Sequence, residues 1–230
     1  MTTFSVAVLL SGSGSNLQAL IDARRDGALD AEIVLVLADR ADAYGLQRAL
    51  QNGIPAAFVP LPRAAGTPAA RAAARAAWEQ RLLGVLRAFA PDLLLLSGFM
   101  RVLSAAFLDS CRAEVINQHP ALLPDGGGET VQTSGGLTIP ALRGAHVVGD
   151  ALRQRLPVTG CTIHRVTPVV DDGPLLASAE VPILPGDDEA ALHERIKAEE
   201  RRLVVEVVAR LARAFDETID DRPKTIDQRR

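Results

Sequence analysis

The chain has 230 residues, 48% of them hydrophobic, which can bury one substantial core and suits a single α/β domain. Its 25 basic and 28 acidic residues leave a formal net charge of −3, which excludes bulk electrostatic attraction to nucleic acid or an anionic membrane, so any anion has to be captured locally. No apolar run approaches the roughly 20 residues that span a bilayer, no basic leader precedes the first apolar run, and Cys111 and Cys161 match no metal-ligand spacing; a soluble, cytoplasmic, metal-free protein with two reduced cysteines is expected.

In chain order, Phe4 to Leu10 is a short apolar run that hardly alternates, the pattern of a strand covered on both faces. Ser11-Gly12-Ser13-Gly14 follows as a strand-to-helix turn, where glycines let backbone amides approach an anion and the helix dipole adds positive potential. Ser15-Asn16-Leu17-Gln18 fits a capping box, predicting a helix start near Ser15 and leaving the side chains of Ser13, Ser15 or Asn16 free for phosphate oxygens. The same glycines begin like a dinucleotide fingerprint, with Asp39 at the end of the second apolar run, Glu32 to Ala38, as its ribose-binding acid; Leu17 breaks that fingerprint. On residues alone the loop reads equally as a structural turn or as an anion site.

Trp78, Leu82, Val85, Leu86 and Phe89 recur at helical spacing after Pro68, predicting a crossover helix with its arginines in solvent, and Asp92 to Ser97 is a further buried strand. Residues 125–140, with Gly126-Gly127-Gly128 and Gly135-Gly136, read as a long flexible loop. Val158 to Thr167 and Leu175 to Ile183 read as later strands joined through Asp171-Asp172-Gly173-Pro174, and Leu192 through Phe215 carries the apolar stripe of a long closing helix. The alternation predicts an α/β fold: one Rossmann-like domain over residues 1–215, a mostly parallel twisted sheet with helices on both faces, and a ligand crevice at the carboxyl ends of the strands. Residues 216–230 are charged and poor in apolar groups, and a flexible tail is expected there.

Asn117-Gln118-His119-Pro120-Ala121-Leu122-Leu123-Pro124 carries the chemistry. Residues two apart on an extended segment point the same way, so Asn117 and His119 project together from a strand end. An amide able to hold a carbonyl oxygen, beside an imidazole able to move a proton, suits transfer of a carbonyl-bearing group to an amine. A carboxylate from Asp171 would tune the ring, raising its pKa by Coulomb attraction. His146, His164 and His193 read as ordinary helix or strand residues outside the catalytic set.

The string Asn-x-His-Pro-x-Leu-Leu-Pro resembles the folate-dependent formyltransferases, and so, in the right order, do Ser11 to Gln18, Ser97 to Leu103 and Ile196 to Glu200. The resemblance implies formyl transfer from 10-formyltetrahydrofolate, as co-substrate and with no metal, to the amine of phosphoribosylglycinamide in purine biosynthesis. It divides the domain into an N-terminal phosphate-binding half and a C-terminal folate and catalytic half. It implies Asn117, His119 and Asp171 as catalytic; Gly12, Ser13, Gly14, Ser15, Asn16, Lys197 and Glu200 at the ribose phosphate; and Arg75, Met100, Arg101, Val102, Leu103 and Asn117 at the folate. Small-molecule substrates, no nucleic acid or membrane partner, and a monomer or homodimer are implied with it. A deformylase-like hydrolase and a non-catalytic nucleotide-binding module are the alternatives. Residues 125–142 interrupt the family's usual continuation after Leu-Leu-Pro, and their glycine content predicts a mobile lid beside the site.

Overall fold

The structure, a computed structural model, describes residues 3–63 and 66–220. Its elements run β1 (Ser5–Leu10), α1 (Ser15–Arg25), β2 (Glu32–Ala38), α2 (Tyr44–Gln51), β3 (Ala56–Phe58), α3 (Pro68–Phe89), β4 (Leu93–Ser97), α4 (Ala105–Ser110), β5 (Glu114–His119), β6 (Thr130–Gln132), β7 (Thr138–Pro140), α5 (Val147–Arg153), β8 (Val158–Arg165), β9 (Leu175–Pro182) and α6 (Glu189–Asp220). Seven strands form one sheet in the order β3-β2-β1-β4-β5-β8-β9. The first five are parallel, while β8 and β9 return antiparallel. The expected mostly parallel sheet is therefore present, with an antiparallel edge appended.

Both faces are covered, as the apolar strand runs require. Val6, Val8, Val36, Leu93 and Leu95 pack toward Leu17 and Leu20 of α1 and Leu203, Val204 and Val207 of α6. Ala7, Leu9, Leu35, Leu37, Leu94 and Leu96 point the other way, toward Trp78, Leu82 and Leu86 of α3. Trp78 is fully buried because its indole N–H finds an acceptor, the Val59 carbonyl at 2.9 Å. Phe89, expected on the same docking face, is 38% exposed at the last residue of the helix.

Three local expectations are corrected. The N-cap of α1 is Gly14, at φ 69° and ψ 34°, and no side chain caps the helix. Gln18 instead donates to Asp22 and accepts from Arg48, so the capping box does not form. Residues 125–140 hold an ordered element: β6 and β7 pair antiparallel with Thr130 opposite Pro140, and Gly135-Gly136 supplies their turn. Glycines that read as looseness are the turn of a hairpin whose strands carry Thr130, Val131, Thr138 and Ile139, β-branched residues suited to pairing. Finally, α6 runs through Asp220, beyond the expected end at Phe215; the remainder of the expected tail, 221–230, lies outside the described residues.

Gly160 shows how closely β8 and β9 meet. A Cβ there would lie 2.0 Å from the Ala179 carbonyl oxygen and 2.7 Å from a methyl of Leu122, just beyond the His119-Pro120 turn. Gly160→Ala is expected to destabilise the fold by about 1–3 kcal/mol or more. Urea or thermal unfolding checks this, and an unchanged midpoint would contradict the close approach.

Candidate active site

β5 sits where the sheet changes from parallel to antiparallel, and its last residues open on a cleft of about 220 Å³. Asn117 and His119 both line this cleft, as strand alternation requires. So do Gly98 to Leu103 after β4, together with His164 and Asp171. Met100, Val102, Val169 and Val170 are all exposed at its mouth, giving it an apolar rim around a polar floor.

The antiparallel register places His164 of β8 directly opposite Asn117. The two side chains meet at 3.2 Å between Asn117 Nδ2 and His164 Nε2. His164 Nδ1 lies 2.9 Å from the Arg165 carbonyl, to which it can only donate, so in the neutral ring Nε2 is the nitrogen that accepts from the amide. One amide hydrogen of Asn117 is thereby fixed, and the other is left for the cleft. His164, read from sequence as an ordinary strand residue, is thus part of the constellation. The sequence signal that could have found it is its place on a strand two residues from Thr162, but only the register reveals the partner.

Asp171 lies between both rings: its Oδ2 is 3.5 Å from His119 Nδ1 and its Oδ1 3.7 Å from His164 Nε2. Gly144 N–H also donates to Oδ2 at 3.0 Å. Burial pushes the Asp171 carboxyl up, but His164, His119 and the Gly144 amide outweigh it and hold the pKa below the usual carboxylate range. For His119 the balance reverses the expected sign. Burial of the ring dominates the attraction of Asp171 and lowers its pKa, with the nearby charge of Arg143 acting in the same direction. The other ring nitrogen, Nε2, donates to the Leu142 carbonyl at 2.8 Å, leaving Nδ1 as the proton acceptor of the neutral ring.

Gln118 points to the opposite face of β5. It accepts from Asn16 Nδ2 at 3.2 Å and donates to Glu200 of α6. Asn16 also donates to Ser97 Oγ at 3.1 Å and is 4% exposed, so its amide is built into the core beneath the loop instead of standing free. Burial pushes the Glu200 carboxyl up to about 7, against the opposing pull of Asn16, Lys197, Arg201 and Gln118. Lys197, one turn earlier, is ion-paired with Glu194 at 2.7 Å.

Gly12, Ser13, Gly14 and Ser15 form the β1–α1 turn, with Gly12 and Ser13 exposed and Arg48 holding the Ser13 carbonyl at 2.9 Å. A Cβ on Gly14 would lie 2.7 Å from Gly45 Cα, so the turn is pressed against α2. Asp39, the expected ribose acid of the rival reading, is occupied: it accepts from Ser11 Oγ and from Arg101 Nε, both at 2.6 Å. It thereby ties the β1 and β4 turns together. Arg75 reaches the same turn, donating to the Val102 carbonyl. No residue from 125 to 142 lines the cleft; the hairpin instead docks on the edge strand β9 through Ser134 and Glu180. The expected lid is an edge cover in this structure.

Residues 4–208 match the Formyl transferase family model. Phosphoribosylglycinamide formyltransferase of Mycobacterium tuberculosis is 40% identical over 207 residues, covering 90% of this chain and 84% of that protein. The Escherichia coli protein of the same name is 34% identical over 206 residues, covering 89% and 85%. A match to the Drosophila melanogaster trifunctional purine biosynthetic protein adenosine-3 is 43% identical over 197 residues, yet spans only 13% of that much longer relative. Among solved structures, glycinamide ribonucleotide transformylase 1 from Symbiobacterium toebii superposes with a TM-score of 0.77 at 35% identity, covering 92% of this chain and 89% of that one.

The raised pKa of Glu200 has a measurable consequence. The folded state keeps a proton that the unfolded chain releases, so the cost of ionising Glu200 is absent below about 4.5 and complete above about 7. Glu200→Gln removes that cost while keeping an acceptor for Gln118. The variant is expected to gain stability over the parent at pH 8, by at most roughly 3–4 kcal/mol (from 4.5 to about 7 at about 1.4 kcal/mol per pH unit), and to converge with it near pH 4.5. Denaturant unfolding across this range checks the sign.

Proposed function

The chain belongs to the formyl transferase family, and from that membership and the site geometry we propose that it transfers the formyl group of 10-formyltetrahydrofolate to the amine of phosphoribosylglycinamide. The products are the formylated glycinamide ribonucleotide and tetrahydrofolate, a step of purine biosynthesis in the cytoplasm. The observation that carries this reading is the convergence of Asn117, His119, His164 and Asp171 at the end of β5, beside an apolar-rimmed cleft. A flat pterin fits that rim, with the backbone groups of Met100, Arg101, Val102 and Leu103 available to its polar edge. Arg75, half-buried beside Val102, is assigned to the carboxylate tail of the donor. On the other side of β5, the Gly12 to Ser15 turn takes the phosphate. Asn16 supports that turn from below, while Lys197 and Glu200 are assigned to the ribose phosphate.

The amine nitrogen attacks the formyl carbon, and the carbonyl π pair moves onto oxygen. The free hydrogen of the Asn117 amide donates to that oxyanion, and His164 keeps the amide oriented. A single such donor is worth about 2.7–4 kcal/mol of barrier. His119, kept neutral by burial, takes up the proton shed by the attacking amine at Nδ1, directly or through water, where Asp171 stabilises the imidazolium formed. The proton then passes to the departing folate nitrogen as its bond to carbon breaks. Proton transfer by a positioned group contributes roughly 10² to 10⁴ in rate.

Purified protein incubated with both substrates is expected to release tetrahydrofolate only when the amine is present. Release without the amine would mark a hydrolase, and no release would mark a binding module. His119→Ala and Asn117→Ala are each expected to lower kcat at least about tenfold with modest change in KM. The acidic limb of kcat/KM should lie below about 6.5, since burial depresses the His119 pKa. Asp171→Asn should move that limb lower still, because the carboxylate is the main influence raising that pKa; an upward move would contradict the assignment.

A further inference from the structure

Asp171 stands at φ 53°, in the left-handed region, without being glycine. Left-handed backbone is disfavoured for a residue with a side chain, although Asp visits it more readily than most, and here the surroundings hold it. Arg143 and Gly144, just after the inserted segment, supply that constraint, and Leu142 before them holds His119. The Leu142 carbonyl takes His119 Nε2, Arg143 Nε donates to the Asp171 carbonyl at 3.1 Å, and Gly144 N–H donates to the Asp171 carboxylate at 3.0 Å.

The Arg143 guanidinium reaches further. Its Nη2 donates to the Gly128 carbonyl at 2.7 Å and to Asp172 Oδ1 at 3.2 Å. Gly128 leads into the inserted hairpin, and Arg143 stands just after it. One side chain therefore closes both ends of the insertion onto the turn that carries Asp171. Gly127 packs so closely on that turn that a Cβ would lie 2.9 Å from Asp172 Oδ1, and Asp125 accepts from Leu175 N–H at 3.0 Å just past it. The planar fork can hold two carbonyls and a carboxylate in fixed directions at once; a lysine ammonium has no such fixed fork.

We propose that Arg143 is a positioning residue for formyl transfer, clamping the Asp171 turn to the root of the β6–β7 hairpin so that the carboxylate stays between His119 and His164. The inserted segment is then a strut of the active site. The effect acts through Asp171 and so rests on the function proposed above.

Steady-state kinetics and amide hydrogen exchange on the intact chain test it together. Arg143→Met is expected to lower kcat about 10- to 100-fold, as misplacement of a reacting group does, with both KM values within about threefold. Exchange of the 168–175 segment is expected to quicken at least about tenfold, while β1 and β4 keep parental protection. Arg143→Lys keeps the charge but loses the fork, and is expected to retain no more than about a fifth of parental kcat. Parental kcat in either variant, or unchanged exchange at 168–175, overturns the clamp; if Arg143→Met does not fold, Arg143→Lys decides by both readouts. A parental protein with no formyl transfer would instead remove the functional reading, and the exchange measurement would still decide whether Arg143 holds the turn.

Discussion

The antiparallel register of β5 and β8 is the constraint on which the site depends. It sets His164 opposite Asn117 and Thr162 opposite His119. Directly opposed residues share a face, so the amide and the imidazole meet without any loop having to bring them together. A slip of one residue would turn Ile163 or Arg165 to that position and send His164 to the other face. The same antiparallel return makes the connection to β9 short enough for Asp171 to fold back between the two rings. A parallel partner at this edge would have required a crossover of a dozen or more residues and would have carried the carboxylate away.

β5 also separates two polar systems by alternation alone. Asn117 and His119 face the cleft, whereas Gln118 between them faces Asn16 and Glu200. The carboxylates on the two sides are shifted in opposite directions. Asp171 is held ionised by two imidazoles and an amide, while Glu200, deep among side-chain amides, is pushed toward the neutral form. Burial acts on both in the same direction; Glu200 is the more deeply buried, and there desolvation outweighs its partners, whereas at Asp171 the partners win. The His119 ring shows the same competition with the other outcome, because its desolvation exceeds the attraction of a carboxylate 3.5 Å away. A neutral imidazole beside an ionised acid is the arrangement that general-base chemistry needs.

The buried strands, the crossover helix α3 and the closing helix α6 were legible because their signals are local: apolar runs that do not alternate, and apolar residues at a spacing of three and four. The glycine-rich turn, the Asn117 and His119 pair and the Asp171 turn were legible for a related reason, since each is a contiguous string with its own geometry. The β6–β7 hairpin was not, because glycine composition alone does not distinguish a mobile loop from the turn of an ordered hairpin. His164 and Arg143 escaped because neither has a distinguishing neighbour in the chain. Their partners, Asn117 and Gly128, lie 47 and 15 residues away.

The sequence by itself determined the α/β class, the strand that carries the amide and imidazole, and the acid that answers them, because period and motif are properties of neighbouring residues. Tertiary structure alone decided three things. It selected His164 through strand register, and it buried Asn16 beneath the loop where it was expected to serve a phosphate directly. It also lowered the His119 pKa where charge alone would have raised it. Register, burial and desolvation depend on which distant segments meet, and no window of contiguous residues contains that information.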